Sequence, residues 1–223
     1  MKTTLVLAMT ADGKISDTTK SPPTFSSERD SAHLEEQIAL SDLILVGSGT
    51  LGDGGSVVLV QKPELIRARI DRGLPTQPPQ LIASRSGKID AGLPFFSQPI
   101  DRWLLTTTEG AKDWQNRDSF SNILICETAD GKDIDWQAVK SKLVELDIKN
   151  LCFLGGSELA ASLFAANFID ELWLTVCPTI YGGSDAPSPV SGAGFTPDNA
   201  PKLTLLSLDR VEQELFLHYQ VQK

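Results

Sequence analysis

The chain has 223 residues, 41% of them hydrophobic, which is enough to build a sizeable core in one domain of upper-middle size or at most two small ones. Its net charge of −9 argues against nucleic acid or an anionic membrane surface as the main partner, since both need clustered Lys and Arg; any anionic ligand must be held locally. Cys126, Cys152 and Cys177 lie far apart on apolar runs, so neither a disulfide framework nor a metal-ligand spacing is expected, and no metal is assigned.

Read in chain order, MKTTLVLAMTADGK holds an apolar run that ends at Asp12, too short for a signal peptide or a membrane span, and a cytoplasmic protein is expected. Thr3 to Met9 reads as a strand, Ser27 to Leu40 as a helix capped by Ser26 or Ser27, and Leu43 to Val46 as a second strand running into the Gly-rich GSGTLGDGG. Short apolar runs at Gln80 to Ala83, Arg102 to Thr106 and Asn122 to Cys126 read as further strands. Trp136, Val139, Leu143 and Leu146 share one helical face, predicting a helix over Asp135 to Leu146. Leu151 to Leu154 reads as a strand that gives way to Gly155-Gly156, after which Leu159, Ala160, Leu163 and Phe164 recur at helical spacing. Glu171 to Val176 is another strand. Leu203 to Leu208 and Glu212 to Val221 read as a hairpin turning at Asp209-Arg210.

Strands and helices that alternate imply an α/β fold with a mostly parallel sheet covered on both faces, here with an antiparallel hairpin added at one edge. Two irregular stretches, Ser84 to Pro99 and Pro178 to Pro201, carry Phe95, Phe96, Tyr181 and Phe195, whose apolar bodies want cover. The glycine turns at Gly47 and Gly155 each follow a strand, and at Gly155-Gly156 the strand becomes a helix. There a helix start offers unpaired N–H groups to a phosphate, although a plain tight turn uses the same residues. The G-x-G-x-x-G spacing is absent from both. His33 and His218 are the only histidines; neither has a nucleophile motif beside it, and His218 in ELFLHYQV reads as a strand-face residue.

The segments AMTADGKIS (Ala8 to Ser16), SDLILVGSGTLGD (Ser41 to Asp53), LGGSELAASLFAANFIDELWLTVCPTIYGG (Leu154 to Gly183) and the closing ELFLHY, in that order, resemble the reductase domain of riboflavin biosynthesis. The loops PSPV and QPIDRW are similar to a cyanobacterial branch of it. The resemblance spans nearly the whole chain. It implies a single reductase domain over residues 1–223 with the dihydrofolate reductase-like fold, a mixed, mostly parallel central sheet flanked by helices. It also implies an NADPH cofactor, reduction of a ribosylamino-pyrimidine to its ribitylamino form, and a homodimer.

By the same resemblance, Met9, the turn Gly47 to Thr50, Ser84, Arg85 and the turn Gly155, Gly156, Ser157, Glu158, Leu159 fall on cofactor-binding positions. Ser84-Arg85-Ser86 at a strand end offers a guanidinium fork and two hydroxyls, a clamp suited to the 2′-phosphate of NADPH, or else an exposed loop cation. Lys14, Ser26, Ile38, Gln61 and Leu154 fall on substrate positions. Here the chain departs from the family: Ile38 and Gln61 stand where the family has Arg, Gly54-Gly55-Ser56 where it has Asp-Asp-Pro, and Leu154 where it has an acid. Lys14, Arg29 and Lys62 are possible substitutes or ordinary surface cations. Three readings follow: reduction of the riboflavin intermediate, reduction of an unphosphorylated heterocycle or carbonyl, and nucleotide binding without catalysis.

Overall fold

The computed structural model describes residues 1–21 and 24–223. It divides into two compact units, one comprising Met1 and Glu35–Cys152, the other Lys2–Leu34 and Phe153–Lys223. The chain is α/β, with a largely parallel sheet and antiparallel C-terminal strands.

In the first unit, β2 (Leu43–Gly47), β3 (Gln80–Ala83), β4 (Arg102–Thr106) and β5 (Asn122–Ile125) pair in parallel, with Gly47, Ala83 and Leu105 in register. β2 and β3 are buried along their whole length, which is why they read as continuous apolar runs rather than as alternation. Helix α5 (Trp136–Glu145) starts at Asp135, whose carboxylate accepts from the N–H groups of Gln137 at 2.9 Å and Ala138 at 3.1 Å; Val139 and Leu143 are its buried face. Three short helices were not anticipated: α2 (Ser48–Gly54), α3 (Pro63–Asp71) and α4 (Thr108–Ala111).

In the second unit, β1 (Lys2–Thr10) runs parallel to β7 (Glu171–Cys177). β7 pairs antiparallel with β9 (Glu214–Val221), and β9 with β8 (Leu203–Val211). Helix α6 (Ser157–Ala165) buries Ala160, Leu163 and Phe164. Helix α1 (Glu28–Leu40) begins in this unit, with the Ser27 hydroxyl accepting from the N–H groups of Arg29 and Asp30. The hairpin turn lies at Glu212-Gln213, three residues beyond the polar pair Asp209-Arg210 expected to form it. Those two side chains ride on the exposed edge strand, where charge is tolerated. The chain reverses only where Glu212 takes a left-handed φ of 54° and its carbonyl accepts from Arg210 Nε at 2.9 Å.

Residues 178–201 contain neither helix nor strand, and 84–99 only a 3-10 turn at Pro94–Ser97. Phe95 of that turn is fully buried and packs edge-on to Phe96, which stacks on Trp114 at 5.5 Å.

Candidate active site

Candidate residues cluster at the carboxyl ends of parallel strands, the side of an α/β sheet on which loops are free to receive ligands. In the first unit, Gly47 closes β2 and is buried, while Gly49 and Thr50 on α2 are exposed; a Cβ on Gly49 would meet nothing within 4 Å. Ser84 follows β3. It is 3% exposed, so its hydroxyl is not presented with those of its neighbours, whereas Arg85 and Ser86 are exposed. The Arg85 guanidinium meets no acceptor among the described residues, yet its backbone is fixed. The Arg85 carbonyl accepts from the hydroxyls of Thr107 at 3.0 Å and Thr106 at 3.3 Å. Trp114 Nε1 donates to the Gly87 carbonyl at 2.6 Å. A Cβ on Gly87 would lie 1.9 Å from the Gly110 carbonyl oxygen, and one on Gly110 would lie 2.5 Å from that of Arg85, so two glycines let the turn press against α4. Sequence reading missed this lock. Its signal was the Thr106-Thr107-Thr108 run with Gly110 just beyond the end of β4.

The substrate candidates of this unit do not form a cationic pocket. Ile38 is 0% exposed, a core side chain of α1. Gly54 ends α2, and Gly55 caps it with φ 70°, its N–H donating to the Leu51 carbonyl; a left-handed cap explains a glycine there, whatever the family has in its place. Gln61 is exposed, and its N–H and that of Lys62 both donate to Glu35 Oε1 at 2.6 Å, so an internal carboxylate already sits at the start of α3.

In the second unit, Met9 is half-buried near the end of β1, opposite Val176 of β7. Gly155 and Gly156 take φ values of 99° and 105°, which only glycine adopts readily, and a Cβ on Gly155 would come within 3.0 Å of Leu7. No side chain caps α6 at Gly156. Ser157 and Leu159 of its first turn are half-buried and Glu158 is exposed; Leu154, just before it, is half-buried. Ser157 is engaged by the long 178–201 loop: the Ser191 N–H donates to its carbonyl at 3.2 Å, and the two hydroxyls lie 3.1 Å apart.

That loop is tethered again near its start. Asp12 accepts from the Thr10 hydroxyl at 2.6 Å and from the N–H groups of Gly182 at 2.7 Å and Tyr181 at 3.2 Å. The Thr10 hydroxyl and the two amides hold the Asp12 carboxyl down at about 2. Lys14, a substrate candidate, donates one hydrogen bond from Nζ to the Ala186 carbonyl at 3.0 Å. Arg29 lies over the Phe216 ring at 5.9 Å.

Ser26 is half-buried, and behind it stands a carboxyl pair that sequence reading did not single out. Asp30 is 8% exposed and Glu214 6%. Glu214 accepts from Ser27 N at 2.9 Å and Ser27 Oγ at 2.5 Å. The hydroxyls of Thr175 and Ser26 face Asp30, but burial, with the nearby Glu214 charge, raises its carboxyl above the usual range. Burial likewise lifts the thiols of Cys152 and Cys177 to about 12, so neither is a nucleophile near neutral pH. Among the described residues no cluster of His, Cys, Asp or Glu is placed to hold a metal, and no helix is long and apolar enough to cross a membrane.

Against known proteins, the RibD C-terminal domain model matches residues 1–217. The chain is 26% identical over 221 residues to the riboflavin biosynthesis protein RibD of Actinobacillus pleuropneumoniae, covering 96% of itself and 55% of that protein, so it spans about half the length of this relative. It is also 26% identical over 219 residues to the 2,5-diamino-6-ribosylamino-4(3H)-pyrimidinone 5′-phosphate reductase of Methanothermobacter thermautotrophicus, covering 96% of itself and 95% of that enzyme. A pyrimidine reductase-like protein of Corynebacterium diphtheriae superposes with a TM-score of 0.80 at 18% identity, over 100% of this chain and 92% of that one. Dihydrofolate reductase of Enterococcus faecalis superposes with a TM-score of 0.52 at 12% identity over 100% of this chain and 97% of that one, a likeness of fold.

Proposed function

The chain belongs to the RibD C-terminal domain family, and from that premise we propose that it is an NADPH-dependent reductase of a ribosylamino-pyrimidine, working as a single domain over residues 1–223 and as a homodimer. The carrying observation is the start of α6, where a helix with no side-chain cap follows two glycines whose φ values of 99° and 105° other residues rarely adopt. Such a start presents first-turn N–H groups and the positive end of the helix dipole, which suits a pyrophosphate. Gly155, Gly156, Ser157, Glu158 and Leu159 are assigned this role, with Met9 lying toward the nicotinamide. In the first unit, the turn Gly47 to Thr50 and the Ser84-Arg85 turn are assigned to the cofactor. Arg85 fits the 2′-phosphate, because its guanidinium meets no acceptor among the described residues while its backbone is locked. Bound there, the nicotinamide supplies the hydride; the side chains position it, exclude water and manage a proton.

On the substrate side, two cations are missing at Ile38 and Gln61, each worth about 1.5–3 kcal/mol of charge-assisted hydrogen bonding to a phosphate. A second reading, an unphosphorylated heterocycle, draws support from the Glu35 carboxylate on the Gln61 and Lys62 amides, which repels a phosphate beside Gln61. Calorimetric titration of the purified chain tests the cofactor reading. NADPH is expected to bind at least about tenfold more tightly than NADH; equal affinities, or no binding of either, would remove it.

A further inference from the structure

Reduction of a carbon–nitrogen double bond needs a proton as well as a hydride, and the cofactor delivers only the hydride. The second unit holds a buried carboxyl pair suited to supply it. Asp30 sits in the first turn of α1, 8% exposed, with the Ser26 hydroxyl on one side and the Thr175 hydroxyl on the other. Thr175 is in register with Ala8 of β1, one residue before Met9, so the carboxyl is anchored beside the end of the strand assigned to the nicotinamide. Ser26 is half-buried and so reaches further toward solvent than Asp30 does.

Glu214, His33 and Cys177 are titratable groups near Asp30. Glu214 at the start of β9 keeps its own carboxylate on the Ser27 amide and hydroxyl, at 2.9 and 2.5 Å. Burial, and after it the neighbouring Glu214 carboxylate, oppose ionisation of Asp30. His33, one turn along α1, works weakly in the other direction. Cys177 at the end of β7 is a neutral thiol. Of these two buried carboxyls, Glu214 is pinned by an amide and a hydroxyl, while Asp30, faced by the Thr175 and Ser26 hydroxyls, is the one pushed toward holding a proton.

We propose that Asp30 is the proton source of the reduction, delivering its proton through the Ser26 hydroxyl to the substrate nitrogen as hydride reaches the adjacent carbon. This rests on the reductase reading above. In the balanced step, the reduced nicotinamide gives two electrons and a proton as hydride to the carbon. The C=N π bond breaks, and a C–H bond forms. Ser26 protonates the nitrogen while taking the Asp30 proton, leaving an amine, an oxidised nicotinamide and an Asp30 carboxylate that is reprotonated from water. Asp30 thus acts through Ser26 as a positioning and proton-holding residue.

The test uses the full-length chain and Asp30→Asn. Infrared difference spectra between the two at neutral pH should show a protonated carboxyl band belonging to Asp30. In turnover with NADPH and the ribosylamino-pyrimidine, kcat of the unaltered chain should fall as pH rises through the Asp30 pKa. D30N should keep its NADPH affinity, lose about 100-fold in kcat and lose that alkaline limb. Glu214→Gln removes the neighbouring charge and should move the limb to lower pH. A purely structural Asp30 would leave the limb in place. Absence of the carboxyl band at neutral pH overturns the proposal, and so does a D30N enzyme with kcat within twofold of the original and an unchanged pH profile. A present band in a chain that turns over no pyrimidine supports the protonated Asp30 and counts against the reductase reading instead.

Discussion

At the scale of single residues, charge placement distinguishes groups free to meet a ligand from groups already used. Arg85 is exposed with no acceptor among the described residues, while Arg69 is 1% exposed and spends its guanidinium on the carbonyls of Ala39, Ser41 and Pro75 at 2.6–2.9 Å. Burial lowers the Arg69 pKa to about 10, and it remains a cation at neutral pH. Arg69→Ala leaves those carbonyls without a donor, so a loss of at least about 2 kcal/mol is expected as a lower urea midpoint. Arg85→Ala touches no internal partner: its melting temperature should hold, while NADPH affinity falls about tenfold and NADH affinity does not change. Equal losses for both cofactors in titration would show that Arg85 does not read the 2′-phosphate. Asp12 gives a pH dependence of definite sign. Its folded pKa, about 2, lies below the ordinary value, so the tether it makes to Tyr181 and Gly182 is complete above that ordinary value and is lost as pH falls toward 2. Proteolysis within 178–201 should quicken over that window, and Asp12→Asn should show the fast rate at neutral pH.

At the scale of elements, what the sequence made legible followed the strength of its periodicity. The strands of the sheet are found within about two residues of their expected ends, except β8, which runs three residues further; buried runs such as LILV have no other stable use, and α5 declares itself through its apolar spacing and the Asp135 cap. Helix α2 was hidden, since three of its seven residues are glycine and propensity argues against it; a left-handed Gly55 ends it. Helix α3 carried a readable Pro63 at its first position, yet its apolar spacing is thin. Of the site, the two glycine turns and Arg85 could be read as local motifs. The Asp30–Glu214 pair and the lock on Arg85 could not, because each joins residues far apart in sequence. The lock is testable: Gly87→Ala puts a Cβ on the Gly110 carbonyl at a φ of 65°, so it should destabilise the fold by at least about 1–3 kcal/mol and weaken NADPH binding with it. A variant with unchanged melting and unchanged affinity would show that the turn is pliable.

For the whole molecule, the edge strand β8 bears on assembly. Leu203, Leu205, Leu206 and Leu208 are 40–53% exposed on a strand that pairs on one side only, with β9. An apolar edge of this kind invites pairing, and a symmetric dimer through β8 would cover it. Light scattering is expected to report about twice the chain mass of 24.1 kDa. Leu206→Lys with Leu208→Lys should return the monomer, and a monomer mass for the unaltered chain at micromolar concentrations would count against the dimer. The reading of the chain as a reductase is tested most directly by turnover. Purified chain, NADPH and the ribosylamino-pyrimidine 5′-phosphate are mixed anaerobically, with NADPH oxidation followed by absorbance and the product by mass spectrometry. The expected result is one ribitylamino product per NADPH consumed, with a high KM from the cations missing at Ile38 and Gln61. No NADPH oxidation with this substrate or with its dephosphorylated form would contradict it.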